Sequence, residues 1–113
     1  MNNVDPHIRC LIDHIQDKFA ITAAEENKLA GILKVKELCK KEMLIVPGNV
    51  SNHMNFISRG CLRAYYMDLE GQERTLQIGI EGWWINDLYG YITGKRSKMY
   101  VQALENSVLV QIP

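Results

Sequence analysis

The first third of the chain carries apolar residues at the spacing of α-helices. Asp5 followed by Pro6 is typical of an N-cap and the first helical position. At a second start, the Thr22 hydroxyl can cap a backbone amide while the Glu25 side chain reaches back. The apolar positions are Ile8, Leu11, Ile12, Ile15, Phe19, Leu29, Ile32 and Leu33. We therefore predict two short helices in residues 1–34, with these positions facing the core.

From about Val35 the period changes to the alternation of β-strands. Glycines then recur every 11 or 12 residues, at Gly48, Gly60, Gly71 and Gly82, which is strand–turn–strand spacing. The β-rich segments are residues 43–46, 56–57, 61–67, 74–80, 98–104 and 108–112. We expect a mainly β fold with N-terminal α-helices. The predicted architecture is an antiparallel β-roll or jelly roll (a double-stranded β-helix) over residues 35–113, in a single domain of residues 1–113.

One stretch, residues 83–94, interrupts this rhythm and has room for a short helix near 86–92. Its start carries Asn86 and Asp87, and a helix start offers free amides and partial positive charge to an anion. A basic cluster follows at Lys95, Arg96 and Lys98. This combination is typical of a phosphate site. In the alternative interpretation, Asp87 only caps the helix and the cluster is an ordinary solvated loop.

Aromatic residues surround the same stretch. Alternation places Trp84 in the core and leaves Trp83 partly exposed. Tyr89 and Tyr91 flank Gly90, where they can cover the mouth of the roll.

Composition limits the function classes. Thirteen Lys and Arg residues balance thirteen Asp and Glu residues, so no overall basic field attracts nucleic acid or an anionic membrane. The three cysteines, Cys10, Cys39 and Cys61, are odd in number and far apart, which favours a reducing compartment over a disulfide framework. With no signal peptide pattern and no apolar run of transmembrane length, we expect a cytoplasmic protein.

The spacing of histidines and cysteines gives little support for a metal-binding site. His7, Cys10 and His14 could share a helix face, but zinc sites prefer closer pairs with further ligands. A cupin-type metalloenzyme would need clustered histidines inside the barrel, and His53 stands alone in the β region. No catalytic set emerges from the spacing either. We expect no enzymatic activity and no metal, and retain the cupin as a less favoured alternative.

After the helices, Pro47-Gly48, the turn at 56–60, the tip at 68–73 and Glu81-Gly82 follow in one order. Over nearly the full chain this order resembles the cyclic-nucleotide-binding domain of the Crp/Fnr (catabolite-activator-like) transcription regulators. The resemblance implies a bacterial, cytoplasmic sensor domain. Its effector would be a cyclic nucleotide or another small anion, with no other cofactor. Residues 83–98 then lie where that family keeps its phosphate-binding cassette.

The cassette of that family resembles Gly-Glu-Leu, a short helix and an Arg-Ser or Arg-Thr pair. The family's glutamate holds the ribose hydroxyl, and its arginine holds the cyclic phosphate. Here the opening is Asn86-Asp87-Leu88, so asparagine replaces glycine and the acid is one methylene shorter.

The family's arginine has two alternative positions. If the strand containing Tyr100 keeps the family's phase, the arginine slot falls on Ser97 and the hydroxyl slot on Lys98. If Arg96-Ser97 is the pair, the loop is one residue shorter. The candidate ligand-binding residues are Asn86, Asp87, Leu88, Arg96 and Ser97. The departures predict a non-standard or lost cyclic AMP site.

Family members continue into a dimerisation helix and a DNA-reading winged helix-turn-helix, whereas this sequence reaches Pro113 at the end of the last predicted strand. We expect DNA contact only through a C-terminal domain absent here, a homodimer in the full-length protein, and no membrane partner. The alternative function is a non-sensing interaction or dimerisation scaffold, its pocket closed by Trp83, Tyr89 or Tyr91.

Overall fold

The computed structural model describes residues 5–113. Helix α1 (Pro6–Gln16) begins after Asp5, whose carboxylate accepts a hydrogen bond from the His7 amide at 2.8 Å. Helix α2 (Ala23–Ile32) begins after Thr22, and Thr22 and Glu25 form both hydrogen bonds of a capping box. The remaining elements are β1 (Lys34–Leu38), β2 (Met43–Ile45), β3 (Met54–Arg59), β4 (Cys61–Met67), β5 (Glu73–Ile80), α3 (Leu88–Thr93), β6 (Tyr100–Ala103) and β7 (Ser107–Ile112).

The strands form two antiparallel sheets in the orders β1-β7-β3 and β2-β6-β4-β5. In the second sheet, Val101 lies opposite Ala64 and Ala103 opposite Leu62. All four are buried, because strand alternation turns them to the same inner face. The expectation of a mainly β fold with N-terminal helices is confirmed.

The three-stranded sheet is apolar on both faces. On β3, Ile57 packs between the two sheets, while its neighbour Phe56 packs under the helices. Leu109 and Val110 divide in the same way on β7. The helices, the three-stranded sheet and the four-stranded sheet therefore form three successive layers. The three-stranded sheet is the middle layer, and it contributes residues to both apolar clusters.

Gly60 makes the tight reversal between β3 and β4. Its φ is +109°, and a Cβ there would lie 2.2 Å from the Ser107 hydroxyl oxygen. Only glycine satisfies both the backbone conformation and this close approach.

Some local expectations were wrong. Phe19 lies beyond the end of α1 and is 68% exposed, and Ile32 at the end of α2 is 52% exposed. The predicted strand at 98–104 spans only Tyr100–Ala103, because Ser97 and Met99 form a local turn before it. Strand β1 was absent from the predicted segments. In the described residues 5–113, no helix combines the length and apolarity needed to cross a bilayer.

Candidate functional site

Helix α3 is fixed at both ends by local chemistry. Its N-cap is Asp87, whose Oδ1 accepts a hydrogen bond from the Gly90 amide at 3.1 Å. Its C-cap is Gly94, with a φ of 70° and an amide that donates to the Gly90 carbonyl at 2.8 Å. The capping interpretation of Asp87 therefore accounts for its carboxylate.

The Asp87 carboxylate is enclosed by its own helix. A Cβ added at Gly90 would lie 2.6 Å from Asp87 Oδ2 and 3.2 Å from the Lys95 carbonyl oxygen. The first turn of α3 thus packs directly on the Asp87 carboxylate and on Lys95, the first residue of the basic cluster. Since the Gly90 amide is already bound, a ligand phosphate cannot use it without displacing Asp87.

A groove of about 560 Å³ lies between α3, the loop that follows it, the end of β4 and the middle of β5. We call it the basic groove. Its lining residues are Tyr66, Met67, Leu76, Asp87, Tyr89, Lys95, Arg96, Lys98 and Met99. Three cations face one carboxylate, and Lys95 Nζ lies 5.9 Å from the centre of the Tyr89 ring. The groove therefore suits an anion with an apolar portion.

Two other cavities fit an anion less well. One, of about 190 Å³, is below the usual ligand-site range of about 300–1,000 Å³ and has no Lys, Arg, Asp or Glu in its lining. The other, of about 620 Å³, lies at the opposite end of β6 and is lined by Glu37 and Glu105 with only Arg59 as a cation. Size and charge together select the basic groove.

Ser97 belongs to the framework of the loop. It is 3% exposed, and its hydroxyl oxygen accepts a hydrogen bond from the Met99 amide at 3.2 Å. Its amide donates to the Asn49 carbonyl at 2.7 Å, and its carbonyl accepts from the Gly48 amide at 2.9 Å. Arg96 and Lys98, on either side of it in the sequence, both line the basic groove.

The five candidate ligand-binding residues divide into two sets. Asp87 and Arg96 line the basic groove. Asn86 instead accepts a hydrogen bond from the Asn55 amide, and Leu88 is half exposed outside the groove. With Ser97 held in the loop, the structure brings together two of the five.

Sequence reasoning missed the apolar wall of the groove. Tyr66 and Leu76 come from β4 and β5, and Met99 precedes β6. A partial signal was available, because Leu76, Ile78 and Ile80 alternate along β5 and Tyr66 and Met67 end β4, which gives these strands more apolar residues than the core between the sheets requires.

The aromatic residues near the cassette have separate positions. Trp84 packs edge-on against Phe56 at 5.3 Å between ring centres, and Trp83 is half exposed. Of the three residues that could have closed a pocket, Tyr89 lines the basic groove, while Trp83 and Tyr91 do not. Tyr89 is itself 63% exposed and leaves the groove open.

The histidines of α1 are engaged in packing. His7 Nδ1 lies 2.7 Å from the Ser58 hydroxyl oxygen, and the His14 ring contacts Phe56. Within residues 5–113, no group of three or more His, Cys, Asp or Glu side chains is arranged to hold a metal ion.

Residues 35–113 match the family profile described as the cyclic nucleotide-binding domain. The chain belongs to that family. This cyclic nucleotide-binding domain is 26% identical over 107 residues to the anaerobic regulatory protein of Haemophilus influenzae. The alignment covers 92% of this chain and 40% of that relative, so the chain spans less than half the relative's length.

Solved structures share the fold at low identity. The catabolite activator protein of Thermus thermophilus has a TM-score of 0.73 at 16% identity, covering 88% of this chain and 45% of that one. The sensor domain of the transcriptional regulator DNR from Pseudomonas aeruginosa has a TM-score of 0.73 at 18% identity, covering 93% and 69%.

A third structure comes from a kinase. The regulatory subunit of a cAMP-independent protein kinase A from Trypanosoma cruzi, bound to guanosine, has a TM-score of 0.75 at 17% identity, covering 99% and 41%. The β-roll interpretation is confirmed. The chain is a cyclic-nucleotide-binding-like regulatory domain related to the Crp/Fnr regulators.

Proposed function

We propose that this domain is the ligand sensor of a Crp/Fnr-type transcription regulator and that its effector is a small anion other than cyclic AMP. The observation that carries the proposal is the lining of the basic groove, where Lys95, Arg96 and Lys98 meet an apolar wall. An anionic head can pair with these cations while an apolar body contacts Leu76 and Met99.

Three features argue against an ordinary cyclic AMP grip. If the strand containing Tyr100 keeps the family's phase, the arginine slot holds Ser97, which is buried in its own loop; if Arg96-Ser97 is the pair, the loop is one residue shorter than the family's. Asp87 replaces the ribose-binding glutamate and caps α3 instead. Asn86 replaces the glycine and directs its side chain to β3. A charge-assisted contact to phosphate is worth about 1.5–3 kcal/mol, so its loss weakens affinity roughly 10- to 150-fold.

The fold itself accommodates more than one ligand. Among proteins of similar structure, PfPKA-R is described as bound to cyclic AMP and the Trypanosoma cruzi subunit as bound to guanosine. Both ligands contain a purine nucleoside, and guanosine has no phosphate. A change of effector in this chain is therefore compatible with the architecture.

A thermal-shift screen of cyclic AMP, other nucleotides and anionic metabolites tests the proposal. A ligand at 100 times its Kd stabilises the folded state by about 2.7 kcal/mol. The shift should shrink in Arg96→Gln and Lys98→Gln, which remove groove cations. It should persist in Lys36→Gln, which removes an exposed cation of β1 that does not line the groove.

Three results would contradict the proposal. Low-micromolar binding of cyclic AMP by calorimetric titration would show that the family's site is intact. No shift with any compound, or a shift that Arg96→Gln and Lys98→Gln leave unchanged, would favour the scaffold function. In the sensor proposal the domain catalyses no reaction, and DNA contact belongs to chain outside residues 1–113.

A further inference from the structure

Asn55 is a buried amide on β3 that contacts both the approach to α3 and the end of β7. It is 2% exposed and lies opposite Gln111 in the β3–β7 ladder. Its Oδ1 accepts a hydrogen bond from Gln111 Nε2 at 2.9 Å, and its Nδ2 donates to the Ile85 carbonyl at 3.2 Å. One side chain therefore joins two separate parts of the chain.

The backbone of Asn55 strengthens the first of these connections. Its amide donates to Asn86 Oδ1, and its carbonyl accepts from the Ile85 amide at 3.0 Å. Ile85 and Asn86 are the two residues directly before the N-cap Asp87. Ile57 of β3 holds the earlier residue Trp83 through its own amide at 2.8 Å, so Asn55 makes the β3 hydrogen bonds to the two residues nearest the start of α3.

From this start, contacts continue into the basic groove. Asp87 receives the Gly90 amide, and Gly90 packs closely on the Lys95 carbonyl. A displacement of Asn86 would therefore move groove residues. A weaker contact runs in parallel, since the Tyr91 hydroxyl lies 3.5 Å from the Pro113 carbonyl oxygen.

We propose that Asn55 is a positioning residue that couples the basic groove to the carboxyl end of β7 through Asn86 on one side and Gln111 on the other. The functional meaning of this coupling rests on the sensor proposal. Occupancy of the groove and the position of residues 111–113 would then influence each other equally, as linkage requires. The coupling also assigns a function to the Asn86 side chain, which accepts the hydrogen bond from the Asn55 amide. A glycine at this position could not perform it, because glycine has no side-chain acceptor.

Hydrogen–deuterium exchange on the chain without ligand tests the coupling. Gln111→Met removes the donor to Asn55 and keeps a side chain of similar length. Losing this hydrogen bond should speed exchange roughly 3- to 10-fold in α3 and residues 95–98. Amides of β4 should be unchanged. A change confined to the cassette is not expected if Gln111 only adds to overall stability.

Gln102→Met is the matched control. Gln102 is also a partly buried strand glutamine, and its Nε2 donates one hydrogen bond to the Lys41 carbonyl at 2.9 Å, away from Asn55. It should leave exchange in α3 and residues 95–98 unchanged. Equal effects of the two variants, or no effect of Gln111→Met on the cassette, would overturn the proposal.

A reciprocal variant covers the case in which Gln111→Met accelerates exchange everywhere. Asn86→Ala removes the acceptor of the Asn55 amide and should speed exchange at residues 110–112 while β4 stays protected. Unchanged exchange at residues 110–112 would then reject the coupling. The exchange experiment contains no ligand, so its outcome does not depend on the thermal-shift screen. Failure of every compound in that screen would reject the sensor proposal and leave the coupling to be decided by exchange.

Discussion

Ser97, one of the candidate ligand-binding residues, belongs to the framework of the loop before β6. Its hydroxyl and both backbone polar groups form hydrogen bonds within the protein, and the residue is buried. A long cationic side chain at this position must open the loop to reach the basic groove. Overpacking and burial of an unpaired charge are both destabilising.

We predict that Ser97→Arg lowers the free energy of unfolding by about 1–3 kcal/mol and does not create a cyclic AMP site. Urea denaturation and calorimetric titration measure the two effects. Ser97→Ala, which loses only the contacts to Met99, should cost about 0.5–1.5 kcal/mol. If Ser97→Arg is as stable as the parent and binds cyclic AMP tightly, the loop tolerates the family's arginine and Ser97 is not a framework residue.

Local residue signals were the most predictable part of the chain. Asp5 and Thr22 cap the helices that their sequence patterns predict, because a cap is formed by residues two or three positions apart. The same holds for Asp87 before α3. The contacts of Asn55 could not be predicted, since Asn86 and Gln111 lie 31 and 56 positions away. Nothing local distinguishes Asn55 from an ordinary polar residue of a strand.

At the scale of elements, the β4–β5 hairpin depends on a charged turn. Asp68 Oδ1 accepts hydrogen bonds from the amides of Glu70 and Gln72, each at 2.9 Å, and its Oδ2 accepts from Arg74 Nε at 3.0 Å. The hydrogen bond from the Gln72 amide, with those from Arg74 and Glu70, lowers the pKa of Asp68 below its usual value.

The sign of the pH effect follows from this lowered pKa. The native state binds the Asp68 proton less readily than the unfolded chain, so the carboxylate stabilises the fold above the unfolded pKa of about 3.9. That contribution is lost as pH falls through the lower, folded pKa. We therefore predict that Asp68→Asn is less stable than the parent at about pH 7 and that the difference shrinks toward about pH 3.

Urea unfolding of both proteins at the two pH values measures this difference. The pKa of Glu25 is also lowered, by the hydrogen bond from the Thr22 amide, but both proteins keep Glu25 and its effect cancels. A stability difference that stays constant with pH would show that Asp68 acts through turn geometry alone.

Strand prediction failed where tertiary contacts determine the element. Strand β1 contains three charged residues and one buried residue, Leu38, and it exists because β7 pairs with it along all five positions. Conversely, Phe19 continues the apolar spacing of α1 but lies after the last helical turn. Periodicity gives the face of an element and does not fix its end.

At the scale of the whole molecule, the three-stranded sheet contributes residues to both apolar clusters, so the stability of one cluster depends on the other. Leu11 of α1 is fully buried against Phe56 and Val110, whose strand neighbours Ile57 and Leu109 belong to the cluster between the sheets. Loosening the helices therefore exposes one face of the sheet that also closes the roll. We expect the helices and the roll to unfold together.

Leu11→Ala tests this expectation and should cost about 2–5 kcal/mol. Trp84 fluorescence reports on the helix cluster and hydrogen–deuterium exchange of the β4 amides at increasing urea reports on the strands, so the two urea midpoints should fall together. Trp83→Phe as the background removes the signal of the half-exposed tryptophan. Phe19→Ala, at an exposed apolar position, should stay within about 0.5 kcal/mol of the parent. A Trp84 transition that moves alone in Leu11→Ala would show that the helices unfold as a separate unit.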